Sequence, residues 1–186
     1  YLQFPLFFDK QLYAICLIRD PRDMISSSHG KYPNEYWASL RYWKLFLKSY
    51  EKLKNHKKIL FIRYEYFTQN PYFIKRKIIE KLNFLKFIHN FYEYHKISSP
   101  SKDSKMALKN FRPIEPKGIG NWKEHMPRIK NQIFKHGNIS KSLIYFGYEI
   151  NNNWETQLLD IEERDIATKT KEYYDKNILF TKKKLM

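Results

Sequence analysis

Cysteine is almost missing from this chain: its 186 residues hold one, Cys16. That excludes a disulfide framework and any zinc site built from several cysteines. Inside an apolar run, Cys16 reads as an inert core residue. Glycine is scarce, five in all, so no collagen-like or glycine-rich low-complexity chain is present. The longest apolar runs, Tyr13–Ile18 and Ile59–Ile62, fall far short of the ~20 residues that cross a bilayer, so no transmembrane helix is expected. His29, His56, His89, His95, His125 and His136 include no pair at the spacing of a helical metal site. No Ser/His/Asp order stands out either, and no metal is expected. The chain opens on Tyr1 without a basic stretch and apolar core. The expectation is a cytoplasmic protein, and a piece of a longer one.

What is abundant is positive charge and aromatic surface. Lys and Arg number 35 against 19 Asp and Glu, a net charge of +16, and aromatics make up 18%. A disordered chain is poor in aromatics, so a folded domain is expected. The charge favours anions: nucleic acid, phosphates, sulfated sugars or a membrane surface. Lys, Asn, Ile, Tyr and Phe are also what an AT-rich genome writes into any protein, so a solvated lysine surface explains the charge equally well. No arginine-rich block, zinc-finger spacing or RNP signature is present, and no specific nucleic-acid partner is expected.

The periodicities alternate. Gln11–Ile18 is a short apolar run, the pattern of a strand buried on both faces. Asp20 before Pro21 is a capping arrangement, and Asp23 falls in the first turn. A helix is expected from Pro21 to about Ser28, then a loop from His29 to Asn34. A long helix follows from Glu35 to about Lys54, a second strand over Lys58–Arg63, a loop over Tyr64–Asn70 and a helix from Pro71 to about Leu85. Strand, helix, strand, helix argues for an α/β sheet with parallel strands. Ile97–Lys117 reads as a long loop, the kind that is usually functional or disordered. Lys117–Trp122 is a turn with two glycines, and Pro127 to about Tyr148 a helix. Trp154–Tyr174 reads as a polar helix with acidic residues from Asp160 to Asp165, and Lys182–Lys184 as a basic tail.

Three segments carry chemical potential. Arg19 stands at the carboxyl end of a strand beside a helix start, where open α/β sheets bind ligands and helix amides favour anions. Its guanidinium fork matches phosphate oxygens, and Ser27 on the next helix offers a hydroxyl. A plain surface ion pair of Arg19 or Arg22 with Asp20 or Asp23 fits the same pattern. Tyr64 ends the second strand and is placed either to meet a base or to pack at a strand terminus. Lys117 and Gly118 open a segment whose glycines let backbone approach a phosphate; a simple turn with Trp122 packed on the core fits as well.

In this order the three segments resemble the cytosolic and bacterial sulfotransferases that use the sulfate donor PAPS (3′-phosphoadenylyl sulfate). That family has a strand ending in R-x-P-x-D with a serine eight residues after the arginine; Ala14–Ser27, AICLIRDPRDMISS, matches. Arg63-Tyr64-Glu65 with Pro71 is similar to a second family segment. Pro116–Lys123, PKGIGNWK, is similar to a third, and Phe146-Gly147-Tyr148 to the final helix. The likeness spans about residues 10–150. It implies a three-layer parallel sheet flanked by helices, the P-loop NTPase or nucleotide-kinase-like fold, truncated at its N-terminus. Residues 1–150 would form that domain and 151–186 the polar helix and tail.

By that resemblance Arg19 and Ser27 hold the donor's 3′-phosphate, Tyr64 lies near adenine, and Lys117 and Gly118 close over the phosphate. The implied reaction moves a sulfuryl group from PAPS to a hydroxyl or amine, leaving 3′,5′-ADP. The P-loop-like loop, its lysine and the general base are not in this chain, so catalytic residues stay unassigned. Pro116 stands where many members have arginine; Arg112 or Arg128 is the candidate replacement. The acceptor is a small molecule, glycan or lipid, and Trp37 and Trp43 either line its pocket or pack in a core. Two other readings stay open: a basic module that binds nucleic acid or an anionic membrane surface without catalysis, and another P-loop-type kinase relative.

Overall fold

Side-chain alternation sets the first strand. The computed structural model describes residues 9–28, 35–86, 88–108, 111–166 and 168. Ala14–Ile18 forms β1 and Ile59–Arg63 forms β2. They pair in parallel, from Ala14 opposite Ile59 to Ile18 opposite Arg63. The expected parallel pairing is present in a mixed α/β chain. Among the described residues the sheet has two strands, fewer than a layered fold contains. The expectation that β1 is buried on both faces is corrected: Tyr13, Ile15 and Leu17 are exposed while Ile18 is buried. Cys16 is half-buried, and desolvation raises its thiol pKa.

The helices are α1 (Pro21–Ile25), α2 (Leu40–Leu53), α3 (Tyr64–Gln69), α4 (Pro71–Lys81), α5 (Tyr94–Ile97), α6 (Lys102–Ala107), α7 (Met126–His136) and α8 (Ser140–Tyr145). Several expectations shift. Tyr64–Asn70 is helical rather than a loop, and the long segment after Ile97 contains α6. The helix expected over 127–148 is two, because Gly137 adopts φ +82 and ends α7. The C-terminal polar helix is corrected too: Asn152–Leu158 is a 3-10 turn and residues 161–166 have no regular structure. The tail and the His29–Asn34 loop lie outside the described residues.

The chain divides into two compact units. The first holds Tyr1–Arg19 and Lys44–Ile119. Its core is built on α4, whose Ile74 and Ile78 recur every four residues with Leu82 just past its end, and it closes on Ile62 of β2. Leu60, Phe67, Leu85 and Phe91 pack around that cluster. Each fully buried aliphatic side chain contributes about 1.5–3 kcal/mol. The second unit holds Asp20–Trp43 and Gly120–Met186. Ile25, Leu40, Ile129 and Leu143 are fully buried there. Trp43 donates its indole N–H to Ser142 and stacks edge-on against Phe146, so it is a core residue rather than an acceptor-pocket wall.

Candidate functional site

The strand register fixes which side chains meet. Ile18 faces Arg63 across the sheet, so the following residues, Arg19 and Tyr64, leave neighbouring parallel strands at the same carboxyl edge. The Arg19 guanidinium lies over the Tyr64 ring, 4.8 Å from its centroid. Its Nη2 donates to the Gly118 carbonyl at 2.6 Å, across 99 residues of chain. One side chain of the first unit thus touches all three segments that the sequence singled out. Residue 118 has little room for more than glycine. A Cβ there would stand 3.0 Å from Arg19 Nη2 and 3.7 Å from the Tyr64 hydroxyl.

Beside this group the first unit opens a cavity of about 470 Å³, within the ~300–1,000 Å³ of small-molecule sites. Tyr64, Phe67, Phe91 and Tyr94 give it aromatic walls, and Arg112 and Lys117 supply cations. Phe67 meets Phe91 edge-on at 5.5 Å, and both also pack on the α4 core, which holds the wall rigid. The Tyr94 hydroxyl donates to the Arg112 carbonyl at 2.8 Å, tying down the segment that leads to Lys117. The Lys117 ammonium is exposed and pairs with Glu115 at 2.6 Å. Flat aromatic walls and cations suit a planar base bearing anionic groups.

Of the five expected binding residues, Arg19, Tyr64, Lys117 and Gly118 belong to the first unit. Ser27 belongs to the second, where its hydroxyl donates to the Asp23 carbonyl at 3.0 Å. The helix start expected to bind an anion is already filled: α1 has five residues, and the Asp20 carboxylate accepts the Arg22 N–H. Asp23 is more than a first-turn charge. Its carboxylate accepts the backbone N–H groups of Gly120 and Trp122, at 2.8 and 2.9 Å. Gly120 sits at φ +81, a conformation that favours glycine.

Two arginines of the second unit are structural. Arg22 is 2% exposed. It pairs with Asp20 and Glu149 and lies over Trp122 and Trp154. Burial disfavours its charge, but the two carboxylates more than offset this and its pKa is raised. Arg128 is 1% exposed, and its guanidinium donates to the carbonyls of Ile25, Ala38 and Ile166 and to Thr168 Oγ1. Burial lowers its pKa to about 10. Those bonds occupy its fork, whereas Arg112 lines the cavity. Among the described residues, no group of three or more His, Cys, Asp and Glu side chains could hold a metal. None of the described helices is long and apolar enough to cross a membrane.

Sequence reading missed Phe67, Phe91 and Tyr94. Their signal was weak but present: Tyr64 and Phe67, and Phe91 and Tyr94, are each three residues apart, the spacing of one helical face. No family model, curated protein or solved structure matches the chain.

Proposed function

We propose that this chain supplies the 3′-phosphate and adenosine half of the donor site of a PAPS-dependent sulfotransferase, within a three-layer P-loop-like fold. The observation that carries the reading is Arg19, which stacks on Tyr64 and bonds to the Gly118 carbonyl. Three segments with the residue types of a nucleotide 3′-phosphate site converge on one guanidinium. The chemistry that bound PAPS supplies is transfer of its sulfuryl group: an acceptor oxygen or nitrogen bonds to sulfur, and the sulfur–oxygen bond to 3′,5′-ADP breaks. The acceptor's proton passes to a base that this chain is not assigned.

The roles of this chain's own residues are binding and orientation. Arg19 grips the 3′-phosphate as a charged fork. The Tyr64, Phe67, Phe91 and Tyr94 walls accept the adenine face, while Lys117 and the Gly118 backbone cover the phosphate. All of these contacts fall on the part of the donor remote from sulfur. Their binding energy serves to fix the reacting end in place.

The test is a thermal-shift titration with 3′,5′-ADP, using 5′-AMP as control. The expected outcome is stabilisation by 3′,5′-ADP at concentrations where 5′-AMP has little effect. Equal shifts from the two nucleotides would count against the reading. A second reading, a docking module for an anionic polymer or membrane surface, is favoured by charge distribution. The first unit carries 20 Lys and Arg against 7 Asp and Glu (20 − 7 = +13). Steep loss of DNA or vesicle binding with salt, with no nucleotide selectivity, would favour that reading instead.

A further inference from the structure

We infer that Glu115 competes with the bound anion for Lys117, so that nucleotide affinity at this site is limited by opening of the Glu115–Lys117 pair. The inference rests on the donor-site reading and deepens it. Lys117 and Glu115 line the same cavity as Tyr64 and Arg112. The ammonium and carboxylate are 2.6 Å apart, with the side chains 74% and 37% exposed. Over Glu115-Pro116-Lys117 the charges cancel, so the segment brings no net positive charge to the cavity while the pair is closed.

Backbone stiffness favours the closed pair. Pro116 lies between the two partners and has its φ fixed, and the residue before a proline is confined to extended conformations. Pro116 O also accepts the Ile119 N–H at 3.3 Å, which turns the chain toward Gly118. Little backbone entropy is left to lose when the two side chains meet. Glu115 is also the carboxylate on that cavity wall. An arriving phosphate meets its negative charge directly and must take over its cation. Exposed ion pairs are weak, which makes this pair easy to open by a phosphate and suits it to setting affinity rather than blocking the site.

The experiment measures dissociation constants for 3′,5′-ADP and 5′-AMP by calorimetry. It compares the wild-type chain with Glu115→Gln, Lys117→Ala, the double variant and Glu80→Gln. Glu80 is an exposed residue of α4 and controls for one added unit of net charge. Releasing a weak exposed pair is expected to tighten 3′,5′-ADP by about two- to fivefold in Glu115→Gln. Glu80→Gln should change it less, and the double variant should bind no better than Lys117→Ala. The competition is overturned if Glu115→Gln binds as the wild type or more weakly, or if the gain persists without Lys117. Failure of the donor reading looks different: the wild type would not distinguish the two nucleotides, while Glu115→Gln would tighten both through Lys117. Binding of neither nucleotide to any of the five proteins overturns both.

Discussion

The Asp23 carboxylate is 1% exposed and holds two backbone N–H groups that arrive 97 and 99 residues later. Removing it takes this acceptor from two donors of the Gly120–Trp122 turn, one buried and one half-buried. Each such loss costs about 1–3 kcal/mol. Asp23→Ala is therefore expected to lower stability by roughly 2–5 kcal/mol in urea denaturation, and Asp23→Asn, which keeps one carbonyl acceptor, by less. A loss below about 1 kcal/mol would show that the turn finds other partners. Arg19 and Tyr64 were legible in the sequence because residue type and strand-end position coincide, and Gly118 because it lies in a turn with two glycines. The partners of Asp23 were not, because a carboxylate in a first turn satisfies local capping rules without any distant contact.

Helix α4 shows which elements the sequence specifies. Its core face is a four-residue repeat, Ile74 and Ile78, continued by Leu82 at the C-cap; Ile79 lies off that face and is 36% exposed. Ile78→Ala is expected to cost about 2–5 kcal/mol, and Ile79→Ala markedly less, in paired urea titrations. Equal costs would contradict the packing of this face. The repeat also made α4 readable from sequence, although the helix ends at Lys81 rather than Leu85. Helix α3 was not readable: four of the six residues of YEYFTQ, the two Tyr, Phe and Thr, have middling helix propensity, and Arg63 provides no side-chain cap. Tertiary burial of Glu65 and Thr68, with Thr68 Oγ1 donating to the Glu65 carbonyl, sustains it instead. At α7 and α8 the apolar spacing runs on through Gly137, so periodicity alone joined two helices. Asn138 Oδ1 accepts the Ser140 N–H and starts the second.

Over the whole molecule, the same two distant segments are paired in each compact unit. In the first unit Arg19 meets Gly118; in the second Asp23 meets Gly120 and Trp122. The positive charge is uneven: +13 of the +16 belongs to the first unit, the one that holds Arg19, Tyr64 and the aromatic cavity. On the proposed function, a nucleotide bearing two phosphate groups is drawn to the unit with the walls to receive its base. On the proposed function, Arg19, positioned by the strand register and by Gly118, reads a 3′-phosphate. Phosphorus NMR of 3′,5′-ADP checks this, because the 3′- and 5′-phosphates give separate resonances. With the wild-type chain the 3′ resonance is predicted to shift or broaden, and Arg19→Ala to remove that change while any effect at the 5′ resonance remains. A 3′ resonance that ignores the wild-type chain, or responds equally to Arg19→Ala, would contradict the account.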